Sequence, residues 1–340
     1  MSGNASYRLD NTAVLSVESV EAPEVITSDA IDDRLVDTYA RLGLTRGMLA
    51  SLAGVQSRRW WPADEGYVQG AVVAGRQALA AAEVDPDRVG LLINASVTRP
   101  HLEPAVATQV HHQLGLPTGC MNFDVTNACL GFVNAMHLAG TLIDAGQIEY
   151  ALVVTSEGTR EPQERTIARL ERGETTKHEI KEAFATLTVG SGAAAMVLAR
   201  KDANPDGHTL VGGVSRAGTA HHNLCIGSME EMKTDSGALY TEGLALAVDT
   251  WKDAKGEFDW EEMDSYVAHQ TSIVHIRGLC DSLGLDMDRF PLTLIEHGNT
   301  ASASVPFTLA QHSPNLSTGD RVLLMGIGSG LNTSFAELAW

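Results

Sequence analysis

One thiol and two histidine-centred motifs stand out as groups able to do covalent chemistry. Cys129 lies in FDVTNACLGF, where a strand-like apolar run passes into a long amphipathic run with helical spacing. A thiol at a helix N-terminus meets the positive end of the helix dipole and the unpaired N–H groups of the first turn, so a lowered pKa and a usable thiolate are expected. Free cysteines are otherwise small buried hydrophobes, and Cys120, Cys225 and Cys280, which lack that setting, read as core or loop residues. Of the 12 histidines, His269 in YVAHQTS and His297 in IEHGNTASASVP each lie just beyond an apolar run within a compact polar motif, the second beside Asn299. Small residues around Asn299 allow the backbone to approach a site closely. The pairs His111–His112 and His221–His222 suggest a metal, but adjacent histidines do not share a helix face and no carboxylate stands at ligand spacing. No metal is expected, and the lack of a GxSxG elbow argues against a serine hydrolase.

The elements that must position these groups alternate along the chain. VGLLINASV (89–97) reads as a buried strand after the alanine-rich helix GAVVAGRQALAAAEV. CMNFDV (120–125) is the next strand, LGFVNAMHLAGTLIDAG a helix ending at Gly146, EYALVVTS (149–156) a further strand, and GSGAAAMVLAR (190–200) closes the first half. Strands alternating with helices argue for an α/β architecture. The second half repeats the order: EFDWEEMDSYVAHQ (257–270) has the helix–turn–strand rhythm of AEVDPDRVGLLINAS, GDRVLLMGIGSG (319–330) matches IEYALVVTSEG, and GSGLNTSFAELAW matches GSGAAAMVLAR. Two copies of one α/β unit about a pseudo-twofold axis are expected, divided as residues 1–205 and 206–340. The charged stretch 160–184 reads as a solvated helical excursion, either a lid or interface segment or a plain surface helix.

Composition narrows the class. With 340 residues, 44% hydrophobic and 20% charged, the chain can bury a large core. Its apolar runs are of strand length, too short to span a bilayer. The N-terminus lacks a signal-peptide pattern, and four cysteines without CxxC spacing fit a reducing cytoplasm. A net charge of −19 argues against a nucleic-acid partner. Arg58 and Arg59 in GVQSRRWW form a local cluster for a small anionic ligand, or a solvated loop with Trp60 and Trp61 packed beneath it.

FDVTNACLGF, YVAHQTS and HGNTASASVP together resemble the Cys, His and Asn motifs of the ketoacyl synthase III enzymes of the thiolase superfamily, in the same order and with a glycine-rich GIGSGLN segment near the C-terminus. The resemblance covers essentially the whole chain. It implies the duplicated, five-layered αβαβα thiolase fold, a homodimer, catalytic roles for Cys129, His269 and Asn299, and an oxyanion hole from the backbone N–H groups of Cys129 and Ser329.

Four departures refine it. Decarboxylating members carry HQAN, whereas here HQTS places Ser272 at the asparagine. The family's CoA-binding Trp and Arg positions upstream of GVQSRR are missing, so no CoA contacts are assigned. Thiolases carry a second cysteine in CIGGG, where this chain has Gly326. Glu103, in NASVTRPHLEPAVATQ, stands where ketoacyl synthases present an aromatic residue to the neighbouring subunit's acyl pocket. A condensation without decarboxylation must remove a proton next to a thioester, and a glutamate desolvated in an apolar channel is suited to that. In these features, with HLEP and the closing GIGSGLN and AEL segments, the sequence is similar to the OleA enzymes of bacterial olefin synthesis, which condense two fatty acyl-CoAs head to head. The resemblance implies acyl-CoA substrates, no cofactor and downstream olefin-pathway enzymes as partners. The alternatives are a decarboxylating ketoacyl synthase III, an acyl-CoA hydrolase, a hydroxymethylglutaryl-CoA synthase and a non-catalytic subunit; Cys129 speaks against the last. For Glu103 the alternative is an exposed loop carboxylate.

Overall fold

The computed structural model describes residues 6–64 and 66–340. In the first half, β1 (Thr12–Glu21), α1 (Val68–Ala81), β2 (Leu91–Asn94), α2 (Val106–Leu114) and β3 (Met121–Asp124) are followed by α3 (Gly131–Asp144), β4 (Tyr150–Glu157), α4 (Arg160–Leu170), α5 (Lys177–Thr188) and β5 (Gly192–Arg200). The second half runs β6 (His208–Ala217), α6 (Ser236–Ala254), β7 (Ser265–Ala268), α7 (Ile273–Leu283), α8 (Ser304–His312), β8 (Arg321–Gly328) and β9 (Asn332–Ala339). β2 and β4 are buried at every position, as continuous apolar runs require when helices cover both faces of a sheet.

The duplication is visible in the strand order. The first half is ordered β1-β5-β4-β2-β3 and the second β6-β9-β8-β7. In each, the first two pairings are antiparallel and the third is parallel. β3 is the extra strand at the far edge. The two runs join where β1 meets β6, at Ala13–Thr209 and Val14–His208. The turn 201–207 joins β5 to β6.

Helices α3 and α8 lie between the two runs of strands. Phe132, Val133 and Met136 pack there with Val305 and Leu309 against β4, β5, β8 and β9. α1 and α2 cover the outer face of the first half, and α6 and α7 that of the second. The result is the αβαβα layering.

The charged stretch 160–184 differs from the solvated excursion expected. Ile167 and Leu170 of α4 and Ile180, Ala183 and Leu187 of α5 join Ile31, Leu35, Tyr39 and Leu49 in a separate small core. Charge lies only on the outer faces, so the composition of the stretch hid its amphipathic spacing. A capping box between Thr176 and Glu179 starts α5. Among the described residues no helix is long and apolar enough to cross a membrane.

Candidate active site

Cys129 sits one residue before Leu130, the N-cap of α3. The chain reaches it through Ala128, whose φ of 47° is left-handed for a residue with a Cβ, a backbone cost typical of functional turns. The elbow is pinned by the Asn127 amide, whose Nδ2 donates to Asn134 Oδ1 at 2.8 Å while its Oδ1 accepts from Asn332 Nδ2 at 3.1 Å. From below it is packed by β8. A Cβ on Gly326 would meet Leu130 Cδ1 at 2.5 Å, so a thiolase-type second cysteine here would require the Leu130 side chain to shift.

Cys129, His269, Asn299 and Ser329 all line one cavity of ≈ 1230 Å³, larger than the usual pocket of roughly 300–1,000 Å³. Phe184, Leu239, Leu244, Ile276, Met325 and Phe335 contribute to its apolar walls, so the inner face of α5 is part of the site. His269 follows β7 directly, its backbone N–H bonded to Met325 O at 2.9 Å. Burial, aided by the neighbouring His275, lowers its pKa to about 3, so at neutral pH it is an uncharged imidazole. The Asn299 backbone is held on both sides, its N–H on Thr188 O at 3.0 Å and its C=O on Gly190 N at 2.9 Å. Its Oδ1 accepts from Ala301 N at 2.9 Å, which leaves the amide NH2 to serve the cavity.

A lowered thiol pKa is the expectation that fails. Burial raises the Cys129 thiol well above the ordinary range, with Glu157 and Cys225 adding to the rise. The helix end is present, but desolvation of a charge outweighs the dipole here. The thiol must therefore lose its proton to a partner during attack.

Glu157 is the residue the sequence reading missed. It ends β4 fully buried, lines the cavity, and accepts from Val97 N (2.9 Å), Thr98 N (3.0 Å) and Thr98 Oγ1 (2.9 Å). Burial pushes its carboxyl pKa up, and these hydrogen bonds oppose the rise. A lone carboxylate closing YALVVTSE was the available signal.

Models of 3-oxoacyl-[acyl-carrier-protein] synthase III match residues 123–168 and, for the C-terminal part of that family, residues 254–340. The acyl-CoA:acyl-CoA alkyltransferase of Xanthomonas campestris is 41% identical over 334 residues, covering 97% of this chain and 99% of that protein. The protein of the same name from Shewanella oneidensis is 31% identical over 335 residues, covering 94% and 96%. This chain belongs to the OleA family of acyl-CoA:acyl-CoA alkyltransferases. The crystal structure of a cysteine-to-serine variant of Xanthomonas campestris OleA with bound lauric acid and lauroyl-CoA superposes with a TM-score of 0.96 at 40% identity, over 98% of this chain and 100% of that one.

The remaining expectations sort themselves within this OleA-family fold. Ser272, at the asparagine position of HQAN, caps α7: its Oγ accepts from His275 N at 3.3 Å and lies 2.7 Å from His275 Nδ1. Glu103 lies outside the cavity, exposed at the tip of segment 95–105, although Arg99, His101 and Leu102 line the mouth. Leu102 is 94% exposed, so the tip stands in solvent. The Arg58–Arg59 cluster is not an anion site. Arg58 is fully buried, donates to Ser28 Oγ at 3.1 Å, and has its pKa lowered by burial to about 10. Arg59 pairs with Glu21 at 3.1 Å, and Trp60 is packed with its Nε1 on Gln163. The period-two alternation of strand 57–60 buries one arginine, and adjacency in sequence does not reveal this. His297 is also buried, 3.1 Å from Glu21, and serves structure.

Proposed function

We propose that this chain joins two long-chain fatty acyl-CoAs by a Claisen condensation without decarboxylation, giving a 2-alkyl-3-keto acid and free CoA as the first step of long-chain olefin and hydrocarbon synthesis. The observation that carries this reading is one large apolar cavity that Cys129, His269 and Asn299 all line.

Cys129 attacks the thioester carbonyl of the first acyl-CoA, its proton passing to the departing sulfur, and CoA leaves as the thiol. The backbone N–H groups of Cys129 and Ser329 hold the oxyanion. Glu103 of the partner subunit then takes the α-proton of the second acyl-CoA. His269 and the Asn299 amide NH2 stabilise the enolate oxygen. The α-carbon attacks the Cys129 thioester, the C–C bond forms and the thiolate is expelled. Water cleaves the remaining thioester, releasing the second CoA and the keto acid. On this reading the enzyme works as a cytoplasmic homodimer, without a cofactor, and hands its product to later enzymes of the pathway.

Mass spectrometry of the products from one fatty acyl-CoA supplied alone tests this. A 3-keto acid, or the ketone left by its decarboxylation, is expected. Free fatty acid alone points to a hydrolase, and dependence on a malonyl thioester to a decarboxylating synthase; either result overturns the proposal.

A further inference from the structure

Segment 95–105, which carries Glu103 at its tip, is held at both feet by buried or half-buried carboxylates. At the far foot Asp124 accepts from Val106 N (2.9 Å), Ala107 N (2.9 Å) and Asn94 Nδ2 (3.1 Å). At the near foot Glu157 accepts both backbone N–H groups of Val97 and Thr98 and the Thr98 hydroxyl, which in turn accepts from Gly158 N at 2.9 Å. Ser96 completes the foot, its Oγ donating to Asn94 Oδ1 at 2.7 Å and accepting from Ser156 N at 2.9 Å. Between these anchors the tip projects, with Leu102 and Glu103 exposed.

We infer that Glu157 is a positioning residue: its carboxylate clamps the foot of this segment and thereby sets where Glu103 is delivered. The inference rests on the reading of Glu103 as the base. A buried carboxylate beside the nucleophile is an expensive way to close a loop, and it works against the Cys129 thiolate. Cys129 shares its cavity with Arg99, His101, Glu157, Cys225, His269 and His275, and among these Glu157 alone grips the segment that bears Glu103. Besides Thr155 Oγ1 at 3.5 Å and the Ser302 backbone, its two oxygens take three donors from two consecutive residues, which fixes both the height and the direction in which the chain leaves β2. A glutamine keeps one acceptor oxygen and turns an NH2 toward donors. It preserves size but breaks half the clamp.

The test compares Glu157→Gln, Thr98→Val, Glu103→Gln and the double variant Glu103→Gln/Glu157→Gln, each as the full chain with tetradecanoyl-CoA. Acyl loading is read by intact mass, condensation by product, and the Cys129 thiol by the pH profile of iodoacetamide alkylation. In Glu157→Gln, condensation should fall by about 10²-fold, the scale for displacing a reacting group by an ångström. Loading should not slow, and the alkylation midpoint should move to lower pH because a charge opposing the thiolate is gone. The double variant should condense no worse than Glu103→Gln alone. Thr98→Val should lower the ratio of condensation to loading by a smaller factor. An equal further loss from Glu157→Gln in both backgrounds overturns the clamp while leaving the base reading intact. Wild-type condensation by Glu103→Gln sinks the base reading and the clamp with it. Should Glu157→Gln fail to fold, an unchanged ratio in Thr98→Val overturns the clamp.

Discussion

The Ala301 N–H donates to Asn299 Oδ1 at 2.9 Å, and this contact decides which end of the Asn299 amide serves the cavity. With the oxygen engaged by the backbone, the NH2 group is the end available to a substrate oxygen. Asn299→Asp keeps the acceptor and the shape but removes the donor. Condensation should fall by about 10²–10³-fold, the usual cost of one oxyanion donor, while Cys129 still loads. Wild-type condensation in this variant would return Asn299 to a purely structural role.

Cys129→Ser should abolish both loading and condensation. A hydroxyl in the buried surroundings that already raise the thiol pKa is a far weaker nucleophile. Intact-protein mass after incubation with acyl-CoA should show an adduct on the native chain and none on the variant. An adduct mapped to Cys120, Cys225 or Cys280 would sink the assignment.

Glu103→Gln should load normally and condense about two to four orders of magnitude more slowly. If Glu103 serves the neighbouring site of the proposed homodimer, mixed dimers give a sharper test. Cys129→Ser and Glu103→Gln are each inactive alone, yet a heterodimer of the two pairs an intact Cys129 with an intact Glu103 in one of its two sites. Random mixing in a twofold dimer should then restore about a quarter of native activity. Mixtures that stay inactive would place Glu103 in its own subunit's chemistry, or in none.

His269→Ala should load and then condense poorly, losing about 3 kcal/mol of enolate stabilisation. It and His275 also set the acid limit of stability. Burial lowers their pKa from 6.5 to about 3 and about 4, and His137, His208 and His312 shift the same way. A histidine held neutral in the fold binds no proton where the unfolded chain does, so stability is full above pH 6.5 and is lost as pH falls below it. Between pH 7 and 5 each strongly shifted histidine should cost about 2 kcal/mol. Urea unfolding at the two pH values should show the loss. In His275→Gln the loss should be smaller by that amount, and an identical loss would refute the assignment.

Much of the fold and of the site was legible in the sequence. Continuous apolar runs such as YALVVT and alanine-rich helical spacing depend only on near neighbours, so β2, β4, β5 and α3 lie within a few residues of where the pattern places them. The match of GDRVLLMGIGSG to IEYALVVTSEG carried the duplication, which the strand order bears out. Three spaced motifs likewise sufficed to name Cys129, His269 and Asn299, which the fold gathers in one cavity. What no local pattern contains is how deeply each group is buried and what lies beside it. The thiol pKa at Cys129, the burial of Arg58 and the inner face of 160–184 all turn on contacts between distant segments. Glu157 meets Val97 across 60 residues of chain, and only packing puts that carboxylate, its donors on Val97 and Thr98 and the nucleophile together, out of water, where a charge is costly and a hydrogen bond to it most directive.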